Sequence, residues 1–173
     1  MALSATNSIE ASMAPKIPPR VYIETSIVSY LTARSTRDLI AAARQELTRT
    51  WWGVRRGEFD LVSSQLVLRE AGRGDPEAAA LRLQALAGVR LLDITDRAIQ
   101  LAESIIAAAL VPAAAADDAL HVAIAVDQGV EFLLTWNCRH IANATIWKAL
   151  SEHCATRGLA VPNICTPDML IGE

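Results

Sequence analysis

The spacing of apolar and polar positions alternates between two periods along the chain. Short apolar runs predict strands over 20–24, 59–62, 89–94 and 131–135, with a last strand over 161–165. Between them, apolar residues recur at helical spacing and predict helices over 27–33, 36–56, 76–87, 96–110, 117–128 and 144–157. A further short helix follows the second strand and carries Leu66, Val67 and Glu70. The chain is therefore predicted to alternate strand and helix throughout.

Several predicted helices begin at residues that favour helix N-caps. A side-chain oxygen at such a position accepts a hydrogen bond from a free backbone N–H of the first turn. The predicted capping residues are Thr25 and Ser26, Ser63 and Ser64, Asp75 followed by Pro76, Thr95, and Asp117.

This order of elements predicts an α/β fold with three layers, in which helices cover both faces of a central parallel sheet of four to five strands. Ligands of such sheets bind beyond the carboxyl ends of the strands, near the point where the strand order reverses. That rule selects Glu24, the segment 63–70, and Asn137. The glycine-rich GxGxxG and GxxxxGK[ST] motifs do not occur, so nothing favours a nucleotide-binding fold.

Length and composition indicate one domain. The chain has 173 residues, of which 52% are hydrophobic and 20% charged, which excludes an intrinsically disordered protein. We expect residues 1–19, which are polar and end in two prolines, to form a flexible extension before a domain over 20–173. No apolar run reaches the roughly 18 residues of a membrane span. Three scattered cysteines without CxxC spacing indicate reduced thiols in a cytoplasmic protein.

The net charge of −3 argues against a module that binds nucleic acid mainly by neutralising phosphates. A cluster of carboxylates that recruits cations fits this charge better. Oxygen-bearing side chains stand where such a cluster is expected, at Glu24, Glu70, Asp118 and Asn137. Mg²⁺ and Mn²⁺ favour carboxylate oxygens and water as ligands. Neighbouring helix positions point about 100° apart, so we assign Asp117 to the helix cap and Asp118 to the cluster.

Four segments, taken in order, resemble the PIN-domain family. They are 21–31 (VYIETSIVSYL), 63–70 (SSQLVLRE), 117–125 (DDALHVAIA) and 133–143 (LLTWNCRHIAN), and 164–170 (ICTPDML) is typical of a VapC-like branch. The resemblance covers nearly everything after residue 19. It implies a PIN-like fold with Glu24, Glu70 and Asp118 as metal ligands and Asn137 as a fourth site residue.

The resemblance also implies an activity and partners. Similar family members cleave RNA with Mg²⁺ or Mn²⁺, and bacterial examples are often the toxin of a toxin–antitoxin pair, restrained by a cognate antitoxin. A homodimer is expected as well, with Trp51, Trp52 and the surrounding helices as its surface.

Two positions depart from the family pattern. Glu24 stands where the first acid is usually Asp, and Asn137 stands where an Asp is common. Three carboxylates remain, so the alternative to a ribonuclease is a weak or silent PIN fold that binds RNA or protein. A third reading is a purely structural interaction protein, whose acids would not converge.

Other residues have simpler interpretations. We expect His121 to pack between sheet and helix with its ring hydrogen-bonded to backbone, and a catalytic role is the lesser alternative. Trp51 and Trp52 fit a core or subunit contact better than base stacking. The arginines of the N-terminal half include some that could hold phosphates, and the sequence does not select among Arg34, Arg37, Arg44, Arg49, Arg55, Arg56, Arg69 and Arg73.

Overall fold

The structure is a computed structural model, and it describes residues 17–172. Within that range the strands are β1 (Arg20–Ile23), β2 (Asp60–Ser64), β3 (Arg90–Leu92), β4 (Phe132–Leu134) and β5 (Asn163–Cys165). The helices are α1 (Thr25–Thr32), α2 (Leu39–Val54), α3 (Gln65–Ala71), α4 (Pro76–Ala85), α5 (Asp96–Ala107), α6 (Ala116–Asp127) and α7 (Ala144–Ala155). Of the predicted N-terminal extension, residues 1–16 lie outside the described residues.

All five strands form one parallel sheet in the order β3-β2-β1-β4-β5. Val21 in the central strand β1 pairs with Leu61 on one side and with Phe132 on the other. The chain therefore builds the sheet outwards from β1 in one direction and then returns to build it in the other. The predicted α/β fold with a parallel sheet is confirmed.

Helices cover both faces of this sheet. Right-handed crossovers place the helices between β1 and β3 on one face and the later helices on the other. In agreement, α1 contacts α2, α3 and α4, whereas α5 packs on α6. Ser104 of α5 also hydrogen-bonds His153 of α7 at 2.9 Å. The result is the predicted three-layer α/β/α arrangement.

The central strands are buried on both faces, as parallel strands between two helical layers must be. Val21, Tyr22 and Ile23 of β1 and Leu133 and Leu134 of β4 are fully buried. Helices on both faces contribute the remaining core, including Ile27, Val28, Leu66, Val67, Ile105 and Ile124. This core fixes the strand ends, where the polar side chains of interest lie.

Most of the predicted helix starts are confirmed. Ser64, Asp75 and Thr95 accept hydrogen bonds from backbone N–H groups of α3, α4 and α5, and Pro76 occupies the first turn of α4. The prediction for α1 was wrong, because Glu24 rather than Thr25 or Ser26 is the N-cap, its carboxylate accepting from the N–H of Ser26.

The start of α6 also differs from the prediction. A 3-10 turn over Ala113–Ala115 leads directly into α6, which begins at Ala116. Asp117 therefore lies inside the first turn and is not the N-cap, and its carboxylate pairs with Arg69 at 3.4 Å.

The boundaries of α2 and the placement of Trp51 need correction as well. Asp38 caps α2, so the helix begins at Leu39 rather than at residue 36, and it ends at Val54. Trp51 is fully buried in the core, whereas Trp52 is only partly buried. A core role for Trp51 is thus confirmed, and its assignment to a dimer surface was wrong.

Within residues 17–172 no helix combines the length and apolarity needed to cross a membrane.

Candidate functional site

The strand order reverses at β1, between its neighbours β2 and β4. Polar residues follow the carboxyl ends of these strands at once: Glu24 follows β1 and Thr135 follows β4. Ser64 ends β2, and α3 then carries Glu70 into the same region. Backbone hydrogen bonds extend the sheet past its strands, since the N–H of Glu24 donates to the carbonyl of Leu134 at 3.1 Å. The backbone of the site is therefore held by the sheet.

Glu24 is buried, with only 5% of its surface exposed. Its Oε2 accepts from the N–H of Ser26 at 3.1 Å, from the hydroxyl of Ser26, and from Oγ1 of Thr135 at 2.7 Å. Every hydrogen bond to this carboxylate from the described residues goes to Oε2. One oxygen of Glu24 is thus fixed by three donors, and Oε1 is left for another partner.

Glu70, on α3, also has one oxygen that accepts hydrogen bonds and one that accepts none from the described residues. Its Oε2 accepts from the hydroxyl of Thr25 and pairs with Nε2 of His121 at 3.0 Å, while Oε1 has no hydrogen bond to the described residues. Burial by itself raises the pKa of Glu70, but the hydrogen bonds from His121 and Thr25 and the positive charges nearby outweigh it, so the pKa is lowered. Glu70 is therefore ionised at neutral pH and able to bind a cation.

His121 connects Glu70 to a buried chain of hydroxyl groups. Its Nδ1 lies 2.9 Å from the hydroxyl of Tyr22, which in turn lies 2.7 Å from the hydroxyl of Ser64. Burial raises the pKa of Tyr22 far above its ordinary value, so the phenol stays protonated. Ser64 also accepts from the N–H of Val67 at 3.5 Å, so its hydroxyl is held from both sides.

These contacts form one continuous chain of hydrogen bonds. It runs from Ser64 through Tyr22 and Nδ1 of His121, and from Nε2 of His121 to the carboxylate of Glu70, which accepts. His121 is buried between sheet and helix as predicted. Its ring partners are side chains, however, so the predicted backbone hydrogen bond was wrong. Both partners are remote in sequence, 99 and 51 residues away.

Glu24, Glu70 and His121 converge on one point. An oxygen of each carboxylate and a ring nitrogen of His121 all lie within 4.8 Å of one another. Two carboxylates at this distance in a partly buried site repel each other, and a cation between them removes that repulsion. The donor set is chemically suited to a hard divalent ion, because it offers carboxylate oxygens that no other group occupies.

Asp118 and Asn137 lie outside this compact group and contact His140. Asp118 Oδ2 lies 2.8 Å from Nδ1 of His140, and Oδ1 of Asn137 accepts from the backbone N–H of the same histidine at 3.1 Å. Asn137 is nevertheless linked to Glu24 through one residue. Its backbone N–H donates at 2.9 Å to the hydroxyl of Thr135, which in turn donates to Glu24. Of the four predicted site residues, the structure brings Glu24 and Glu70 into one group and holds the other two at its border.

Arg69 and Arg73 flank the site on the side of α3. Both pair with Asp117, at 3.4 and 4.0 Å. Asp117 therefore balances two exposed cations beside the site.

The residues that sequence reasoning missed are hydrogen-bond donors to the two glutamates. Thr25, Ser26 and Thr135 carry hydroxyl groups next to predicted strand ends, which is a signal that the sequence contains. His121 follows Asp118 by three positions on one helix, so the two share a face. His140 had no local signal, because its partner Asp118 is 22 residues away.

Comparison of the chain with protein-family models finds no match, and a search among curated proteins finds no significant similarity. The geometry of the strand ends is therefore the basis for any functional conclusion.

Proposed function

We propose that this protein is a Mg²⁺- or Mn²⁺-dependent endoribonuclease that hydrolyses RNA phosphodiester bonds. The observation that carries the proposal is the convergence of Glu24 and Glu70 at the carboxyl ends of the central strands, each with one oxygen unoccupied. The resemblance of four segments to PIN-domain nucleases gives the proposal its reaction and its substrate.

Each residue of the site has a definite task in this proposal. Glu24 and Glu70 would hold the ion, and Asp118 and Asn137 are further oxygen donors at the border of the site. A divalent ion bound there supplies a Lewis acid that stabilises charge on a phosphoryl group and activates water. Ser26, Thr135 and Thr25 position the two carboxylates, so that their free oxygens are already placed before an ion arrives.

The direct test is cleavage of mixed RNA by the purified chain with Mn²⁺, with Mg²⁺, and with EDTA. We expect cleavage only with a metal ion, and we expect Glu70→Gln to abolish it while the protein stays folded by circular dichroism. The matched control is Glu77→Gln, a change at an exposed glutamate of α4 whose carboxylate pairs with Arg34. Cleavage by Glu70→Gln at the parent rate contradicts the proposal.

A catalytically silent module is the second candidate, and one observation favours it. The side chains of Asp118 and Asn137 are both engaged by His140 instead of facing an ion directly. Calorimetric titration with Mn²⁺ separates the two candidates. A nuclease binds the ion in a manner that Glu24→Gln and Glu70→Gln both weaken, whereas a silent module shows no binding that depends on these carboxylates.

The proposal extends to the biological setting. We propose a toxin of the VapC-like type with a cognate antitoxin and a homodimeric state, and all three rest on the resemblance alone. The proposed cytoplasmic location rests on the three scattered cysteines. A neighbouring gene for a small DNA-binding antitoxin, and a mass of two chains in light scattering, are the observations expected. Of the two tryptophans assigned to the dimer surface, Trp51 is buried and Trp52 is partly accessible, so Trp52→Glu is the variant that tests it.

A further inference from the structure

Arg44 of α2 is held against two aromatic rings. Its guanidinium carbon lies 5.7 Å from the ring centroid of Tyr30 and 5.3 Å from that of Trp136. Nη1 also donates to the hydroxyl of Tyr30 at 3.1 Å. The two rings themselves meet edge to face at 6.1 Å. An arginine fixed in this way has lost most of its freedom before any ligand binds, which lowers the entropic cost of binding.

This arrangement adjoins the carboxylate site through two separate connections. Tyr30 follows Ser26 by four positions on α1, so both side chains lie on one helix face, about 6 Å apart along the axis. Trp136 follows Thr135 directly, and its backbone N–H donates to the hydroxyl of Ser26 at 2.7 Å. Ser26 and Thr135 are the residues whose hydroxyl groups bind Glu24. The aromatic support of Arg44 is therefore built on the same residues that position Glu24.

The charge of Arg44 is available to a ligand. No carboxylate of residues 17–172 lies within ion-pair distance of its guanidinium, whereas Arg69 and Arg73 on the opposite flank both pair with Asp117. Among those residues, Tyr30 is also the one group that hydrogen-bonds its side chain, through Nη1. Nε and Nη2 remain as donors, and a guanidinium presents such donors to a phosphate in a planar fork.

We infer that Arg44, supported by Tyr30 and Trp136, binds the RNA phosphate next to the one at the carboxylates. The inference rests on the proposed function and adds a substrate contact to it. A polyanion that approaches two glutamates in a protein of net charge −3 needs positive charge near the site. Arg44 supplies it on the side of Glu24, at a fixed position.

The structure provides a matched control for this contact. The guanidinium carbon of Arg56 lies 5.0 Å from the ring centroid of Trp52, so Arg56 makes the same kind of cation–π contact that Arg44 makes with Trp136. It stands in the turn Arg56–Glu58 that precedes β2, at the amino-terminal edge of the sheet, and so at the end opposite to the glutamates. Arg56→Gln removes the same charge and the same kind of stacking without touching the proposed site.

The experiment measures binding of a fluorescein-labelled single-stranded RNA by anisotropy, with the full chain, in the Glu70→Gln background and in Mg²⁺. We expect Arg44→Gln to weaken binding about 10-fold, because the variant loses one charged hydrogen-bond contact to a phosphate. The slope of log K against log salt should fall by about 0.7, the value for one phosphate contact on a single strand. Arg56→Gln should change neither quantity.

Arg44→Lys keeps the charge and loses the planar fork, so it should bind RNA more weakly than the parent and more tightly than Arg44→Gln. It also serves if Arg44→Gln fails to fold, as judged by circular dichroism. Equal losses in Arg44→Gln and Arg56→Gln, or parental affinity in both Arg44 variants, overturn the inference. If Glu70→Gln still abolishes cleavage in that case, the proposed nuclease survives. If the parent neither binds nor cleaves RNA, the proposed function fails and this contact fails with it.

Discussion

The sheet carries ionisable side chains at both ends of its strands, buried at the carboxyl ends and exposed at the amino ends. At the amino ends, Arg20 pairs with Glu131 and Arg90 pairs with Asp60, and all four side chains are between 32% and 53% exposed. At the carboxyl ends, Glu24 and His121 are buried and Glu70 is largely so. Opposite charges meet at one end, whereas two like charges meet at the other.

The difference separates an edge whose charges are paired at the surface from an edge whose like charges suit the ligand of the proposed function. Exposed ion pairs contribute at most about 1 kcal/mol each, and a fold loses little without them. Buried polar groups cost free energy unless each is hydrogen-bonded, about 1–3 kcal/mol for each unsatisfied group. The carboxyl-terminal edge satisfies this demand with hydroxyl and imidazole donors to Oε2 of each glutamate. Oε1 of each is not among the buried atoms that lack a partner, so it is open to solvent and to a ligand.

The largest effect is expected from Glu24→Gln. The amide oxygen takes over the three donors that Oε2 now binds, and the amino group then occupies the place that a cation needs. We expect the cleavage rate to fall by more than about 100-fold. Mutating a residue that only orients a metal ligand already costs about 10–100-fold, and Glu24 is a proposed ligand itself. The free energy of unfolding should change by less than about 1 kcal/mol, because the cap of α1 is kept. RNA cleavage and urea unfolding measure the two quantities.

Glu58→Gln is the control for Glu24→Gln, since Glu58 pairs with Arg55 just before β2 at the other edge. It should cleave RNA at the parent rate. A comparable loss of activity in both variants removes the distinction between the two edges.

Tyr22→Phe should give the next largest effect. The change removes the hydroxyl that links Ser64 to Nδ1 of His121, and it weakens the positioning of Glu70. We expect about 10-fold weaker Mn²⁺ binding by calorimetry and a loss of about 1–3 kcal/mol in urea unfolding. Tyr30→Phe is the control, because the Tyr30 hydroxyl contacts Arg44 and not the glutamates. Unchanged Mn²⁺ affinity in Tyr22→Phe refutes a positioning role for this tyrosine.

The pH dependence of stability gives a smaller effect. Burial raises the pKa of Glu70, but the hydrogen bond and electrostatic attraction of His121, the hydrogen bond of Thr25 and the charge of Arg73 outweigh it. In the folded chain Glu70 therefore has a pKa that is lowered from its ordinary value of 4.5. Its contribution to stability is therefore complete above pH 4.5 and is lost as the pH falls through the lowered pKa. Wild-type protein in EDTA should lose more free energy of unfolding between pH 5 and pH 3 than Glu70→Gln. Parallel urea-unfolding profiles for the two proteins contradict this assignment.

The smallest effect is expected from Asp60→Asn at the amino-terminal edge. The variant loses the ion pair with Arg90, which is about half exposed. We expect a decrease of less than about 1 kcal/mol in urea unfolding, smaller still at high salt, with unchanged RNA cleavage. A decrease of several kcal/mol in the free energy of unfolding of Asp60→Asn contradicts the view that the ion pairs at the amino-terminal edge contribute little.

Local sequence signals predicted most of the fold. Alternating apolar runs located β1, β2 and β4, and the caps Ser64, Asp75 and Thr95 were found because Ser, Asp and Thr favour that position. Glu24 was missed as a cap because glutamate is not among the preferred N-cap residues, and here its carboxylate reaches only two residues ahead. Asp117 was assigned to a cap on the same preference, which a preceding 3-10 turn overrode.

The site was predicted less completely than the fold. Glu24 and Glu70 were identified because the carboxyl ends of neighbouring parallel strands must meet at one edge. The roles of His121 and Tyr22 depend on contacts between distant segments, which no local pattern contains. The burial of Trp51 was one of two readings of an amphipathic helix, and only its packing against Phe59 and the sheet decided between them.

The hydrogen bond from Thr135 to Glu24 joins residues 111 positions apart, and the one from Tyr22 to His121 spans 99. During synthesis the first of these glutamates leaves the ribosome long before its partners exist. Glu70 gains its donor His121 only when α6 has formed, and Glu24 gains Thr135 only when β4 docks beside β1. The order of translation therefore delays assembly of the acidic centre until most of the domain has emerged. Under the proposed function, the chain therefore has no complete site during most of the time that it spends on the ribosome beside its own message.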